Sequence, residues 1–470
     1  MKQEAAIRVG DEIELTIASL AFGGEGVARV QQGEKPLVVF VEDVVPGEQV
    51  KVRIVTKKRN FARGIVQALI KPAEIRVKPK CKHFGPVQNN GCGGCTWQFL
   101  DAAQQLHFKE QQVREALQRI GNIQADVVLP IIGGQPWYYR NKMEFSFSRT
   151  PEGELSLGLH VKRRHYDVIE LTECFLQECF VGELVQKVRT FFQKLDQAKS
   201  LDPEMRLHSF TIRVGKNTGQ IMLIITAENG KENFMEDFKK LALDFAAEEK
   251  LNLGSIAFVQ INNYKGSRKT FEEKIVHGKA TIEETLHLAD RRELRFEISP
   301  QAFFQPNTSM AEVLYAKAVE AAGLTGKETV FDLYCGTGTI GLFCAGKALK
   351  VYGIELNASA VENARANAKL NGIDNIEFVV GDVQQALAGI ADKPDVVMVD
   401  PPRNGLAPKV VEMVADYGAP RIVYISCNPT SLARDAALFG KRGYTLISVQ
   451  PVDMFPQTYH IENVALFNRN

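Results

Sequence analysis

What the chain has little of narrows its possibilities first. It carries almost no net charge: 57 Lys and Arg against 56 Asp and Glu leave +1 over 470 residues. A uniformly basic coat is therefore excluded, although local patches are not. No run of about 18 apolar residues occurs, so no membrane-crossing helix and no membrane partner are expected. The opening segment MKQEAAIRVGDEIEL has no apolar stretch of the kind a secretory leader needs. A cytoplasmic location is expected, and disulfides are rare there. Repeats and low-complexity tracts are missing as well. With 24% charged and 45% hydrophobic residues, wholesale disorder is also excluded.

At roughly 150 residues per domain the length suggests about three domains. Residues 8–70 read as short strands punctuated by glycine and proline turns, notably Phe22-Gly23-Gly24-Glu25-Gly26. That pattern suggests a small OB-like β-barrel. Between residues 51 and 80, ten basic side chains face a single acid, Glu74. Such a run is either a solvated face or a surface for phosphates. The segment 100–121 has helical apolar spacing and ends at Gly121. Residues 136–300 alternate strand-like and helix-like stretches. They include the basic runs Arg140-Asn141-Lys142 and Lys162-Arg163-Arg164-His165, which suit phosphate contacts or plain solvation.

From about residue 301 the pattern becomes strand–helix alternation. The strand-like segments are 328–335, 350–356, 376–382, 394–400 and 421–427. Short all-apolar strands between helices predict a parallel, doubly wound sheet, an α/β fold. This part holds 14 basic and 17 acidic residues, so positive potential belongs to the first two-thirds. The expected division is residues 1–70, 71–300 and 301–470.

Asp332-Leu333-Tyr334-Cys335-Gly336-Thr337-Gly338-Thr339-Ile340-Gly341 follows a predicted strand and should open a helix. Its glycines formally satisfy a dinucleotide fingerprint, and Glu355 at the next strand end suits ribose hydroxyls. On this loop alone NAD and S-adenosylmethionine are both allowed. Asp382 and Asp400-Pro401-Pro402-Arg403 then fall at the ends of the third and fourth strands. Three acids at successive strand ends make a binding crevice, and Asp382 is placed for an adenine edge. The pattern resembles class I S-adenosylmethionine-dependent methyltransferases.

Ser426-Cys427-Asn428-Pro429 ends the fifth strand, and Phe455-Pro456-Gln457-Thr458 precedes His460 and Glu462. A lone cysteine is commonly inert, and the last two residues read equally well as the surface of a final hairpin. Together with Asp400-Pro401-Pro402-Arg403, these motifs resemble the RNA (uracil-5-)-methyltransferase family, in particular the type acting on 23S rRNA. The resemblance covers nearly the whole chain. It implies an N-terminal TRAM barrel, a central α+β domain with a cysteine cluster, and a C-terminal Rossmann-like methyltransferase domain. It implies that Cys427 is the nucleophile and Glu462 the general base. Gln305, Tyr334, Thr339, Glu355, Asp382 and Asp400 match the cofactor positions. Phe303 is either a stacking partner for a base or a core residue.

Cys81, Cys92, Cys95 and Cys174 supply four thiols, which suit structural zinc or a [4Fe–4S] cluster. The resemblance favours the cluster, with Cys174 rather than Cys179 as fourth ligand. The stretch between Cys81 and Cys92 is longer than the family's usual spacing, and its polar residues predict a bulging loop. The implied partner is RNA, 23S rRNA foremost and tRNA as the alternative. No DNA partner is expected, and the chain is expected to be a monomer. A dehydrogenase would leave Cys427, Glu462 and the cysteines unexplained. A non-catalytic RNA-binding protein would leave the intact catalytic set without use.

Overall fold

The computed structural model describes residues 7–32, 35–263 and 270–470, together with every side chain in them except those of Lys35 and His165. The first six residues of the opening segment lie outside the described residues.

The N-terminal part is a six-stranded sheet whose strands run from Glu12–Thr16 to Phe61–Lys71. Its alternating Val and Ile side chains, among them Val39, Val41, Val50, Val52 and Ile54, are fully buried on one side. A sheet that buries one face this completely curls around its own core, as the glycine-rich turns permit. Several cations of the 51–80 run are spent within this region. Lys51 pairs with Glu12, Arg63 with Glu25, and Arg76 with the fully buried Glu48.

The middle of the chain builds a seven-stranded mixed sheet, with Thr270–Gly278 at one edge and Arg164–Ile169 at the other. Two helices, Val181–Gln197 and Met235–Glu248, cover one face through a core rich in phenylalanine. A separate hairpin, Ile282–His287 with Glu293–Ile298, leads into the final part.

The last part is a seven-stranded sheet. In chain order its strands are Thr329–Leu333, Lys350–Glu355, Ile376–Val380, Val396–Val399, Arg421–Ser426, Tyr444–Val452 and Glu462–Arg469. Numbered that way, the spatial order is 3-2-1-4-5-7-6. Strands 1 to 5 pair in parallel, whereas the seventh runs antiparallel to both of its neighbours. The chain order reverses between strands 1 and 4, the point at which such sheets open a crevice at their carboxyl ends.

The segment 100–121 is a helix, Ala102–Ala116, continued by a wider turn, Leu117–Gly121. It packs on the C-terminal sheet, not on the central one: Val113, Ala116 and Leu117 share a core with Leu432, Ala433 and Phe439. Gly121 packs tightly there: a Cβ would stand 3.0 Å from the Ala433 carbonyl. Residues 128 and 132 then bridge to Val449 and Val452. Periodicity gave the helix but could not show which sheet would receive its apolar face.

Candidate active site

The crevice begins at Asp332, fully buried at the end of the first strand. Its Oδ2 accepts a 2.8 Å hydrogen bond from Gly341 N–H, and its Oδ1 has no partner. Tyr334, Gly336 and Gly338 all take positive φ, which turns the chain sharply into the helix Thr339–Ala345. Gly338 is held to glycine by space: a Cβ would meet the Phe378 ring at 2.7 Å. Glu355 clamps the same turn, accepting from Gly336 N–H at 3.1 Å and from Asn357 N–H at 2.8 Å. Asp382 is exposed and caps the helix Val383–Ala388, accepting from Gln384 N–H at 2.9 Å. A capping role thus accounts for Asp382 in this structure, and one carboxylate oxygen is enough for it.

Cys427 and Glu462 meet because of the reversed last strand. Ser426 is paired with Asn463, and Asn463 Nδ2 donates to the Ser426 carbonyl at 3.1 Å. In an antiparallel pair the next step sets Cys427 opposite Glu462. Glu462 is only 6% exposed, so the surface-hairpin reading of this residue is overturned. Asn428 caps the helix Pro429–Gly440 and reaches the Arg403 carbonyl at 3.0 Å, tying the fifth-strand turn to the fourth.

The electrostatics of this corner are lopsided. Burial pushes Asp400 up to about 7. Burial, with Asp400 and Glu355 nearby, pushes Asp332 up to about 8. Glu462 is raised well above the ordinary carboxyl range by burial and by Asp400, and Arg403 only partly opposes this. Cys427 rises to about 11 through burial and the nearby Glu462. Tyr315, which the motifs did not bring forward, is buried facing Asp400, Glu462 and Asp332 and bonds to Thr339. Carboxylates gathered this closely with little opposing charge are costly to desolvate unless a cation completes the set.

Gln305 lies in the turn that precedes the helix Thr308–Ala322. Asn141 fixes that turn: its Nδ2 donates to the Gln305 carbonyl at 2.7 Å and to Thr308 Oγ1 at 2.9 Å. Thr308 donates onward to the buried Glu284 at 3.0 Å. Phe303 is 67% exposed, which removes the core reading of that residue.

The segment before Glu462 is held by parts of the chain far away in sequence. Lys109 and Asp453 form a buried ion pair at 2.6 Å, and Lys109 also donates to the Phe455 carbonyl. Gln105 exchanges hydrogen bonds with Gln457, and Trp97 N–H reaches the Gln457 carbonyl at 3.0 Å. Tyr459 packs edge-on against Phe22 of the N-terminal glycine turn. A cavity of about 600 Å³ opens there, bordered by Gly24, Arg140, Thr458 and His460. Burial and the cations Arg403, Lys109 and Arg140 hold His460 down at about 4.

Cys81, Cys92, Cys95 and Cys174 come together closely enough to influence one another's ionisation, whereas Cys179 is exposed. The long loop bulges as its polar sequence predicts. Cys92 N–H returns to the His83 carbonyl at 2.8 Å, and Gly85 and Gly91 touch where no Cβ would fit. Gly94 N–H points at Cys92 Sγ at 3.4 Å, and the Gln98 side chain bonds to Cys95. Among the described residues no group of three or more His, Cys, Asp or Glu side chains is arranged as a metal-ion site. This arrangement shows neither the zinc nor the [4Fe–4S] cluster.

A seven-stranded sheet of order 3-2-1-4-5-7-6 with acids at the strand ends defines a Rossmann-like methyltransferase. Residues 102–470 match the tRNA (uracil-5-)-methyltransferase model, and residues 7–66 match the TRAM domain. An "Uncharacterized RNA methyltransferase" of Clostridium tetani is 34% identical over 99% of this chain and 98% of its own length. One from Halalkalibacterium halodurans is 36% identical, again over 99% and 98%. The crystal structure of Pyrococcus abyssi tRNA (uracil-54, C5)-methyltransferase with S-adenosyl-L-homocysteine aligns with a TM-score of 0.70 at 24% identity. It covers 97% of this chain and 100% of that one. The chain belongs to the tRNA (uracil-5-)-methyltransferase family and is an S-adenosylmethionine-dependent RNA methyltransferase with an N-terminal TRAM domain. No helix among the described residues is long and apolar enough to cross a membrane.

Proposed function

We propose that the chain methylates C5 of a uridine in 23S rRNA through a covalent adduct on Cys427. The observation that carries this reading is the juxtaposition of Cys427 and Glu462 beside Asp400 in one buried corner. Uracil C5 is a weak nucleophile. Cys427, as its thiolate, adds to C6 and leaves the ring as an enolate whose C5 carries the electron pair. Bound S-adenosylmethionine supplies a methyl group on a positively charged sulfur. Its charge suits the acids at the strand ends, and Gln305, Tyr334, Thr339, Glu355, Asp382 and Asp400 are the residues that would hold it. Glu462, as carboxylate, removes the C5 proton; the C6–S bond then breaks and Cys427 leaves as thiolate. The target base has to be extruded to reach this corner.

The same reading assigns Cys81, Cys92, Cys95 and Cys174 to a [4Fe–4S] cluster, bound by a cytoplasmic, monomeric enzyme. The mutual influence of the four thiols and the N–H groups aimed at sulfur support it. Anaerobically purified protein is expected to show a visible iron–sulfur absorption band, which Cys95→Ser removes. Colourless protein holding stoichiometric zinc would overturn the cluster.

A second reading, the same reaction on tRNA, is favoured by the full-length likeness to the Pyrococcus abyssi tRNA enzyme. Tritiated-methyl transfer to undermodified 23S rRNA and to total tRNA, followed by nucleoside analysis, separates the two. 5-Methyluridine in rRNA alone is the expected result; label in tRNA alone overturns the rRNA substrate.

A further inference from the structure

A second cavity, of about 390 Å³, lies behind Phe303 and beside Arg140. Its size is within the range that takes a small ligand. Its charged lining is unusual. Arg140, Lys142 and Arg213 converge there with one lining carboxylate, Glu144. None of the three cations has a carboxylate within ion-pair distance among the described residues. The other basic candidates differ: Lys162 pairs with Asp43, Arg163 with Glu42 and Arg164 with Asp167.

Arg213 is the strongest anomaly. It is 4% exposed, donates to the Ala302 carbonyl, and keeps a buried Nε with no acceptor. The Nε of Arg140 is likewise buried without an acceptor. Burial lowers the affinity of Arg213 and Lys142 for their protons, and Arg213 bears on Lys142 as a like charge. Glu273 and, less strongly, Glu144 oppose this only in part for Arg213. Three crowded cations of this kind cost free energy until an anion joins them. The rest of the lining is apolar: Met143, Leu159, Leu176 and Pro306, with the exposed Phe303 ring at the rim.

Cations on one side and an apolar wall with an aromatic edge on the other suit one nucleotide, its phosphate and its base. Position favours the same ligand. Arg140 borders both this cavity and the one that contains His460, and Pro306 follows Gln305 directly. Asn141, between the two cations in sequence, fixes the turn that carries Gln305. We infer that this cavity is a subsite for a single nucleotide next to the methylated uridine, its phosphodiester held by Arg140, Lys142 and Arg213 and its base against Phe303 and the apolar wall. The inference rests on the proposed uridine methylation only for the identity of the neighbouring nucleotide. An anchored neighbour would hold the strand while the uridine leaves its stack.

The test measures binding of a short single-stranded RNA with one central uridine to the full chain without cofactor, by fluorescence anisotropy. Abasic residues are placed one at a time at the flanking positions. One of them should weaken wild-type binding by about tenfold, the scale of base–aromatic stacking. Lys142→Gln, at a half-buried position, should erase most of that difference. It should also lower the slope of log affinity against log salt by about 0.7, the share of one single-strand phosphate. Arg213→Gln should do the same if it folds; Lys142→Gln answers the question if it does not. Equal abasic penalties in wild type and Lys142→Gln, or an unchanged salt slope, overturn the subsite. Methyl transfer is assayed on the same preparations. Coupling without methylation supports the nucleotide pocket and overturns the uridine reading. Methylation without coupling overturns the pocket alone.

Discussion

The crevice at the strand ends and the cavity behind Phe303 are charge opposites built by the same means. The crevice gathers the buried Asp332 and Glu462 with the half-buried Asp400, and the cation Arg403 bears on Glu462. The cavity gathers Arg140, Lys142 and Arg213 with a single acid in its lining, Glu144, while Glu273 acts on Arg213 from outside that lining. Other buried charges are paired closely, as at Lys109 with Asp453 or Glu48 with Arg76. Pairing is what a fold does when stability is the only demand. Two adjoining regions that leave it undone, with opposite signs, point to ligands of opposite charge: a sulfonium in one and a phosphodiester in the other.

The sharpest break in the acidic region is Cys427→Ala. Methyl transfer should fall by at least about 10⁴-fold, while calorimetry still detects cofactor binding. Normal turnover in that variant would sink the nucleophile assignment. Glu462→Gln should leave adduct formation possible but stall release, so that a slow-moving RNA–protein species accumulates on a denaturing gel. A gel without that species argues against the base role.

Next in size is the paired charge that serves as the contrast. Lys109→Ala leaves Asp453 buried alone and should cost about 3–5 kcal/mol in chemical denaturation. Lys109→Met combined with Asp453→Leu should recover much of that loss. An additive double variant would show that the two side chains do not act as a pair.

The smallest expected effect is the dependence on pH. Asp332, Asp400 and Glu462 are raised in the folded chain, so the fold holds their protons more tightly than the unfolded chain does. Their contribution to stability is present at acidic pH and fades as pH rises through about 7 to 8. The ligand-free protein should therefore lose thermal stability between about pH 5 and 8, and Asp400→Asn should flatten that slope. Affinity for S-adenosylmethionine should rise over the same interval, by up to about tenfold per unit below the Asp400 value. Affinity for S-adenosylhomocysteine, whose sulfur is neutral, should barely move. Parallel profiles for the two ligands would mean that the acids do not answer to the sulfonium charge.

Much of this was legible along the chain. All-apolar strands alternating with helices gave the C-terminal fold, because a strand buried on both faces has no room for polar residues. The glycine loop, Asp400-Pro401-Pro402-Arg403 and Ser426-Cys427-Asn428-Pro429 stood out because strand-end turns need particular backbone shapes and capping groups. Asp332 was visible in the same loop, but nothing local showed that its side chain is fully buried with one oxygen unpartnered. Asp382 was legible as a strand-end acid, and the structure adds a capping bond that uses one of its carboxylate oxygens.

The local sequence, then, determined the elements, the turns and the chemical types available, since these depend on neighbours within a few residues. It could not determine which elements meet. The partner of Cys427 is set by the reversal of the last strand, a property of the sheet and not of either motif. The buried pair Lys109–Asp453, the embrace of the Gln457 turn by Trp97 and Gln105, and the convergence of Arg140, Lys142 and Arg213 join residues between about 70 and 350 positions apart. Net charge over the chain is nearly zero, and only the tertiary structure decided which buried charges are left without a partner. A charge is neutralised or left exposed by what folding brings within a few ångströms of it, and that distance is not written in the order of the residues.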